Sequence, residues 1–144
     1  MSLNRITAAR EQLVASVADW GDEDDVYTTT SYPPDDASLP AVFMSDWEVD
    51  DYHPDWSDDI DCTFTIRYAM LMRLPDEAFE LADRAMDRAT GMPPLIEATD
   101  TDTGYIEEVI VRSARTRVIL DQEKNTRYLA VDFLCDARLR STLT

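Results

Sequence analysis

The sequence has little of several residue types on which common active sites depend. It contains three glycines, two cysteines and one histidine in 144 residues. Three scattered glycines make no phosphate-binding loop, which needs several close together. One histidine and no Cys-x-x-Cys pair argue against a zinc site. Two cysteines form no disulfide framework. Because Cys62 and Cys135 fall on the apolar faces of predicted strands, we expect two buried, reduced thiols.

Two further features of the sequence are candidates for catalysis or metal binding: His53 and the run Asp100–Gly104. His53 would need a neighbouring nucleophile and an orienting carboxylate to form a catalytic triad, and a surface histidine is the expected state. The run Asp100–Gly104 resembles a calcium loop, but the glycine comes one place early and position twelve is Val111 rather than glutamate. We therefore expect a turn there, and no enzyme, metal or cofactor.

Long apolar runs are also missing. No stretch approaches the roughly 18 apolar residues that would indicate a membrane span. The N-terminal residues form an amphipathic pattern rather than the apolar centre of a signal peptide. Its stripe at helical spacing is apolar except for Arg10: Leu3, Ile6, Arg10, Leu13, Val17 and Trp20. We therefore expect no membrane association and a protein that stays inside the cell or joins an assembly there.

Basic residues are absent from one long segment. Between Asp19 and Asp61 there are fifteen Asp and Glu and no Lys or Arg, whereas the rest of the chain has fifteen acids and thirteen bases. The net charge of −17 therefore comes from this acidic segment. Nucleic-acid binding needs surface Lys and Arg, and lysine occurs once, as Lys124, so such binding is disfavoured as the main activity. A salt-loving host is an alternative source of acidity, but it would spread the acids over the whole surface.

The middle of the chain gives the clearest structural signal. Alternating apolar residues from Cys62 to Met72 predict a long strand with one face on a core. Pro75 ends it. Apolar residues at helical spacing from Ala78 to Ala89 then predict an amphipathic helix that stops at Gly91.

The flanking segments complete a single sheet. We predict a helix over Ser2–Trp20, short strands over Val26–Tyr32 and Pro40–Met44, and a strand over Tyr105–Arg112 that continues or bulges beyond its end. Arg115–Leu120 and Arg127–Leu139 then form a hairpin. The predicted fold class is α+β, a single mixed or antiparallel β-sheet with two main helices packed on one face. Residues 1–144 form one domain, with an acidic loop or strand segment at about 19–61.

Aromatic residues stand out within the acidic segment. Trp47, Tyr52 and Trp56 lie among seven acids between Ser45 and Asp59. Exposed tryptophans are unfavourable, so two explanations remain open: the rings pack on their own domain, or they dock on a neighbouring subunit. We expect at least one of the two tryptophans to be buried only in an assembly.

Short strings and the order of elements resemble one family. The chain is similar to the tail terminator, or tail completion, proteins of long-tailed phages, and to related neck and connector proteins. The resemblance covers most of the chain as an order of elements, and it lies in the following residues: Leu3–Arg10, Tyr32-Pro33-Pro34, Pro40-Ala41-Val42, Val109–Arg112 and Tyr128–Phe133.

This resemblance implies a structural virion protein without enzymatic activity. It implies a ring, expected to be a homohexamer, that ends the tail tube and joins it to the head connector. The implied partners are further copies of this chain, the tail tube protein and the connector protein. DNA would pass through the ring without specific binding, and the implied location is the tail or neck of the virion, assembled in the host cytoplasm.

The charges are compatible with a ring, because head-to-tail contacts need two different complementary patches. The acidic segment is one patch, and the arginine cluster, defined as Arg112, Arg115 and Arg117, is the other. The alternative is ordinary solvated arginines. Two other functions remain open: an acidic DNA mimic with regularly spaced carboxylates along one face, and a small enzyme with His53 in a closed pocket.

Overall fold

The computed structural model describes residues 4–21, 27–34, 39–52, 58–72, 74–121 and 125–141. Its elements follow the order α1, β1, β2, β3, α2, α3, β4, β5. The bounds are α1 Arg5–Ala15, β1 Thr28–Thr30, β2 Ala41–Tyr52, β3 Ile60–Leu71, α2 Pro75–Met86, α3 Pro93–Glu97, β4 Ile106–Asp121 and β5 Thr126–Leu139.

The strands form one mixed sheet in the order β1-β2-β3-β5-β4. The short β1 runs parallel to the start of β2, and every other neighbouring pair is antiparallel. The β3–β5 pairing joins residues far apart in the sequence, whereas β4 and β5 form a local hairpin. The predicted α+β class with helices on one face is confirmed.

The core lies between the sheet and the helices. Strands β3 and β5 pair without a break from Ile60 opposite Leu139 to Leu71 opposite Tyr128. Because side chains alternate along a strand, every second residue points to the helices. These inward side chains are buried on both strands: Ile60, Cys62, Phe64, Ile66, Tyr68 and Met70 on β3, and Leu129, Val131, Phe133, Cys135, Ala137 and Leu139 on β5.

Helix α1 is held at both ends by side chains. Asn4 caps its start by accepting a hydrogen bond from the Thr7 amide at 2.8 Å. At its end, the Tyr27 hydroxyl accepts from the Trp20 amide at 3.0 Å and also donates to the Val17 carbonyl. The rings of Tyr27 and Tyr68 pack 5.3 Å apart, so this cap is tied to the core. The predicted helix was too long, since the α-helix ends at Ala15 and turns follow.

Helix α2 ends five residues before Gly91. The Asp87 carboxylate accepts hydrogen bonds from the amides of Ala89 and Thr90 at 2.7 and 3.2 Å, and this local turn competes with further helix. Gly91 is needed for another reason: a Cβ at this position would lie 2.2 Å from the Ala85 carbonyl oxygen. It is therefore a close-packing residue within the turn that leads to α3.

The largest error in the predicted elements concerns β2. We expected a short strand over Pro40–Met44 and a polar segment after it, but β2 continues to Tyr52. Its irregularities between Met44 and Asp46 and between Val49 and Asp51 shift the alternation and hide the period of two. The strand after Tyr105 runs unbroken into the hairpin, with a register shift between Val111 and Ser113.

Both thiols should resist labelling in the native protein. Cys62 and Cys135 are buried and unpaired, as predicted. Burial raises the pKa of Cys62 to about 11 and raises that of Cys135 as well, so little reactive thiolate exists at pH 8. We expect slow reaction with a maleimide under native conditions and rapid reaction of two thiols in guanidinium chloride. Rapid native labelling of both would contradict the register of β3 and β5.

Candidate assembly surface

The sheet face opposite the helices carries a dense group of charged side chains, and it is called the open face. No described helix covers the open face, where the outward side chains of β2, β3, β5 and β4 lie side by side. Its charged residues fall into two groups. The carboxylates are Asp46, Glu48, Asp50, Asp61, Glu108, Asp132 and Asp136, and the arginines are Arg67, Arg112, Arg115, Arg117 and Arg138.

The centre of the open face is an ion pair between two central strands. Arg67 on β3 donates through Nε and Nη2 to the two Asp132 carboxylate oxygens on β5, at 2.7 and 3.0 Å. Only 6% of the Asp132 side chain and 18% of the Arg67 side chain are exposed. This bidentate geometry is the strong form of the interaction, and it raises the pKa of Arg67.

The arginine cluster lies along β4 on this face. Arg112 contacts Asp136 at 2.7 Å, and Arg117 lies 3.7 Å from Asp132. Arg115 is exposed and forms no ion pair with any described residue. The structure therefore brings together the three arginines that the sequence singled out, but two of them already contact carboxylates of their own subunit.

Carboxylates occupy the other side of the open face. Asp46, Glu48 and Asp50 are exposed on β2 at two-residue steps, although Asp50 also accepts a hydrogen bond from Thr63. The charge consequently changes from acidic on β2 to basic on residues 112–117 of β4, with the Arg67–Asp132 pair between them and Glu108 nearer the start of β4. A groove of about 210 Å³ between the two sides is lined in part by Asp46, Arg67 and Arg115.

Trp47 packs within its own subunit. Its ring stacks on Phe64 with the centroids 4.9 Å apart and the planes 10° apart. The Arg10 guanidinium lies 5.4 Å from the centroids of both Trp47 and Tyr32, which explains the one polar residue in the apolar stripe of α1. For Trp47 the geometry therefore favours packing on its own domain, and a role between subunits stays a prediction.

Of the other two aromatic candidates, the structure describes Tyr52. Tyr52 is 67% exposed at the end of β2, consistent with a contact residue. Trp56 and His53 lie outside the described residues. Trp47 Nε1 is buried without a geometric hydrogen-bond partner among the described residues, and its proximity to Cys62 lowers the pKa of that thiol against the larger effect of burial.

The turn with calcium-loop character is closed by its own side chains. Asp100 accepts hydrogen bonds from the Thr103 hydroxyl at 2.5 Å and from the Asp102 amide at 2.8 Å, which lower its pKa. Among the described residues, no group of three or more His, Cys, Asp or Glu is arranged to hold a metal. In the same part of the chain, no helix is long and apolar enough to cross a bilayer.

Comparison with solved structures shows a structural likeness, whereas the sequence comparisons find no match. No protein-family model matches the chain, and no curated protein matches it. A chain in the solved structure of the virion of a native gene transfer agent particle is similar, with 15% sequence identity and a TM-score of 0.47. The match covers 97% of this chain and 100% of the other.

Removing the central carboxylate should strongly destabilise the fold. Asp132→Ala leaves Arg67 partly buried without its partner, and breaking a buried pair costs about 3–5 kcal/mol. We expect urea denaturation to show a free energy of unfolding that is lower by about this amount. Arg112→Ala is the matched control, because its exposed pair is worth about 0–1 kcal/mol. Equal effects of the two variants would contradict a central role for Asp132.

Truncating Trp47 should also destabilise the isolated subunit. Trp47→Ala removes the stack on Phe64 and the contact with Arg10, and such truncations of aromatic core residues cost about 3–5 kcal/mol when the ring is fully buried. Since Trp47 is partly buried, we expect a loss near or below about 3 kcal/mol in the same assay. Tyr52→Ala, which removes an exposed ring, should change stability by about 0.5 kcal/mol or less. If Trp47→Ala leaves the free energy of unfolding unchanged, Trp47 does not pack in the core of its own subunit, and the prediction that it contacts a neighbouring subunit is favoured.

Proposed function

We propose that this chain is a structural virion protein that assembles into a ring, ends the phage tail tube and joins it to the head connector. The ring is expected to be a homohexamer. Its partners are further copies of the chain, the tail tube protein and the connector protein. Identification with tail terminators comes from the sequence resemblance, and the physical support comes from the surface of the subunit.

The observation that carries the proposal is the separation of charge across the open face. Carboxylates on β2 and arginines on β4 give one subunit two different and complementary sides. An arrangement of this kind supports repeated head-to-tail contacts, which close into a ring when the rotation between subunits permits. A symmetric dimer would instead need one self-complementary patch.

Charge balance also suits a channel through which DNA passes. Four of the five arginines of the open face contact a carboxylate of their own subunit: Arg67, Arg112, Arg117 and Arg138. Arginines neutralised in this way bind phosphates less well than free ones, since phosphate binding depends on available positive charge. The net charge of −17 further opposes retention of DNA.

A second candidate function is supported by the β2 carboxylates. Asp46 and Glu48 lie two residues apart, about 6.6 Å along the strand, and Asp50 and Asp51 follow at a bulge, so β2 presents a row of carboxylates of the kind that a DNA mimic would need. The arginines of β4 share the same face, however, and a surface that imitates DNA phosphates should be uniformly acidic. The head-to-tail proposal accounts for both charge groups, whereas the mimic accounts for one.

Mass measurement separates these functions. We expect size-exclusion chromatography with light scattering, in the presence of purified tail tubes, to detect ring-sized multiples of the 16.4 kDa chain, and electron microscopy to place the ring at one tube end. A monomer or dimer that ignores tail tubes and inhibits a nuclease would instead support the DNA mimic and overturn the proposal.

Salt provides a further control on the same assembly. Each exposed ion pair contributes only about 0–1 kcal/mol, so several must act together across an interface. Because salt screens such pairs, the assembled fraction should fall between low and molar ionic strength. Assembly that strengthens in molar salt would support adaptation to a salt-loving host instead of charge pairing between subunits.

A further inference from the structure

At each edge of the described sheet, one strand lacks a partner along much of its length: β2 at one edge and β4 at the other. On β2, the short β1 pairs only with Ala41–Phe43, so residues 44–52 have no neighbouring strand among the described elements. On β4, Glu97 accepts a hydrogen bond from the Val111 amide at 2.9 Å, and residues 113–121 have no partner strand on their outer side in the same part of the chain. Open edges of this length are templates for pairing with another chain.

We propose that the β4 edge of one subunit pairs with the β2 edge of the next copy, so that the sheet continues across the subunit interface. This inference rests on the proposed function and specifies its contact. Strand directions alternate across β2, β3, β5 and β4, so a following β2 in the same orientation runs antiparallel to β4. Main-chain hydrogen bonds then supply the association, as in other cases of strand addition.

The charges on the open face agree with this pairing. Arg115 and Arg117 point to the open face from β4, and acidic residues occupy the successive open-face positions of β2. Arg115 has no ion pair with a described residue, and Arg117 is half exposed at 3.7 Å from Asp132, which leaves it room for a second carboxylate. Two antiparallel registers keep the open faces aligned. One places Arg115 opposite Glu48 and Arg117 opposite Asp46. The other places Arg115 opposite Asp50 and Arg117 opposite Glu48. Each arginine meets a carboxylate in both registers, because carboxylates occupy positions 46, 48 and 50.

The apolar side chains on the helix side of the two edges also fit this pairing. Val118 and Leu120 on β4 are 53% and 51% exposed, although Leu129, the β5 residue opposite Val118, is buried. Trp47 and Val49 on β2 are partly buried on the same side of the sheet. In the register with Arg117 opposite Glu48, Val118 lies opposite Trp47, so joining the edges covers these apolar side chains, and the paired charges lie on the opposite face. Two independent complementarities therefore favour a second copy as the occupant.

Cysteine cross-linking tests the pairing. Directly opposed residues on antiparallel strands have Cα atoms about 4.5–5.5 Å apart, within the range for a disulfide. We expect oxidation of assembled Arg115→Cys/Glu48→Cys or Arg117→Cys/Glu48→Cys protein to give a ladder of covalent multimers on a denaturing gel. The pair that reacts identifies the register. Because Cys62 and Cys135 are buried, we expect wild-type protein oxidised in the same way to give no covalent multimers.

Asp83→Cys/Glu48→Cys is the matched control, because Asp83 is exposed on α2 away from both edges. Each variant is first checked for unchanged thermal unfolding and assembly, and Asp50→Cys replaces Glu48→Cys if assembly is lost. Rings in which neither edge pair cross-links more than the control would overturn the edge pairing and leave the proposed function standing. Absence of any oligomer, with and without tail tubes, would overturn both.

Discussion

The strict alternation of side chains along β3 and β5 is the constraint on which the rest of the structure depends. Twelve consecutive residues of β3 pair with β5 without a bulge, so all the inward residues meet the helices and all the outward ones meet the open face. A slip of one residue would expose this core and bury Arg67 and Asp132 among apolar side chains. The same constraint that buries both cysteines therefore also aligns the charges outside.

The outer strands follow different rules. Bulges in β2 and β4 interrupt the alternation, and each lies next to a stretch of strand that has no partner in the described part of the chain. Natural proteins use charges and bulges to keep such edges from pairing at random. Here the stretch of β2 without a partner carries carboxylates and that of β4 carries Arg115 and Arg117, which discourages contact between like edges and favours contact between unlike ones. Specificity of this kind fits a subunit that must join its copies in one order.

Sequence reasoning succeeded where one pattern dominated. The long β3, the amphipathic α2, the final hairpin and the two buried thiols were all predictable, because uninterrupted periodicity reports directly on burial. The end of β2 was not predictable, because its bulges and exposed acids resemble a polar loop. The cation–π contact of Arg10 with Trp47 was also hidden, since it joins residues far apart in sequence. One local signal was available: Arg10 was the only charged member of the α1 stripe.

The candidate surface was predicted in part. The arginine cluster could be identified from residue spacing, but its separation from the β2 carboxylates depends on the strand order, in which β5 lies between β3 and β4. That order comes from tertiary pairing, and no local pattern in the chain encodes it. The exposure of the helix-side residues Val118 and Leu120 is likewise not encoded by a local pattern.

The central claim is that copies of this chain join head to tail through unlike edges of the sheet. A density map of the assembled particle by electron cryomicroscopy tests it most directly. The account predicts rotational symmetry about a channel and continuous sheet density from β4 of one subunit to β2 of the next. Two-fold contacts between like edges, or a ring held only by helix contacts with both edges in solvent, would contradict it.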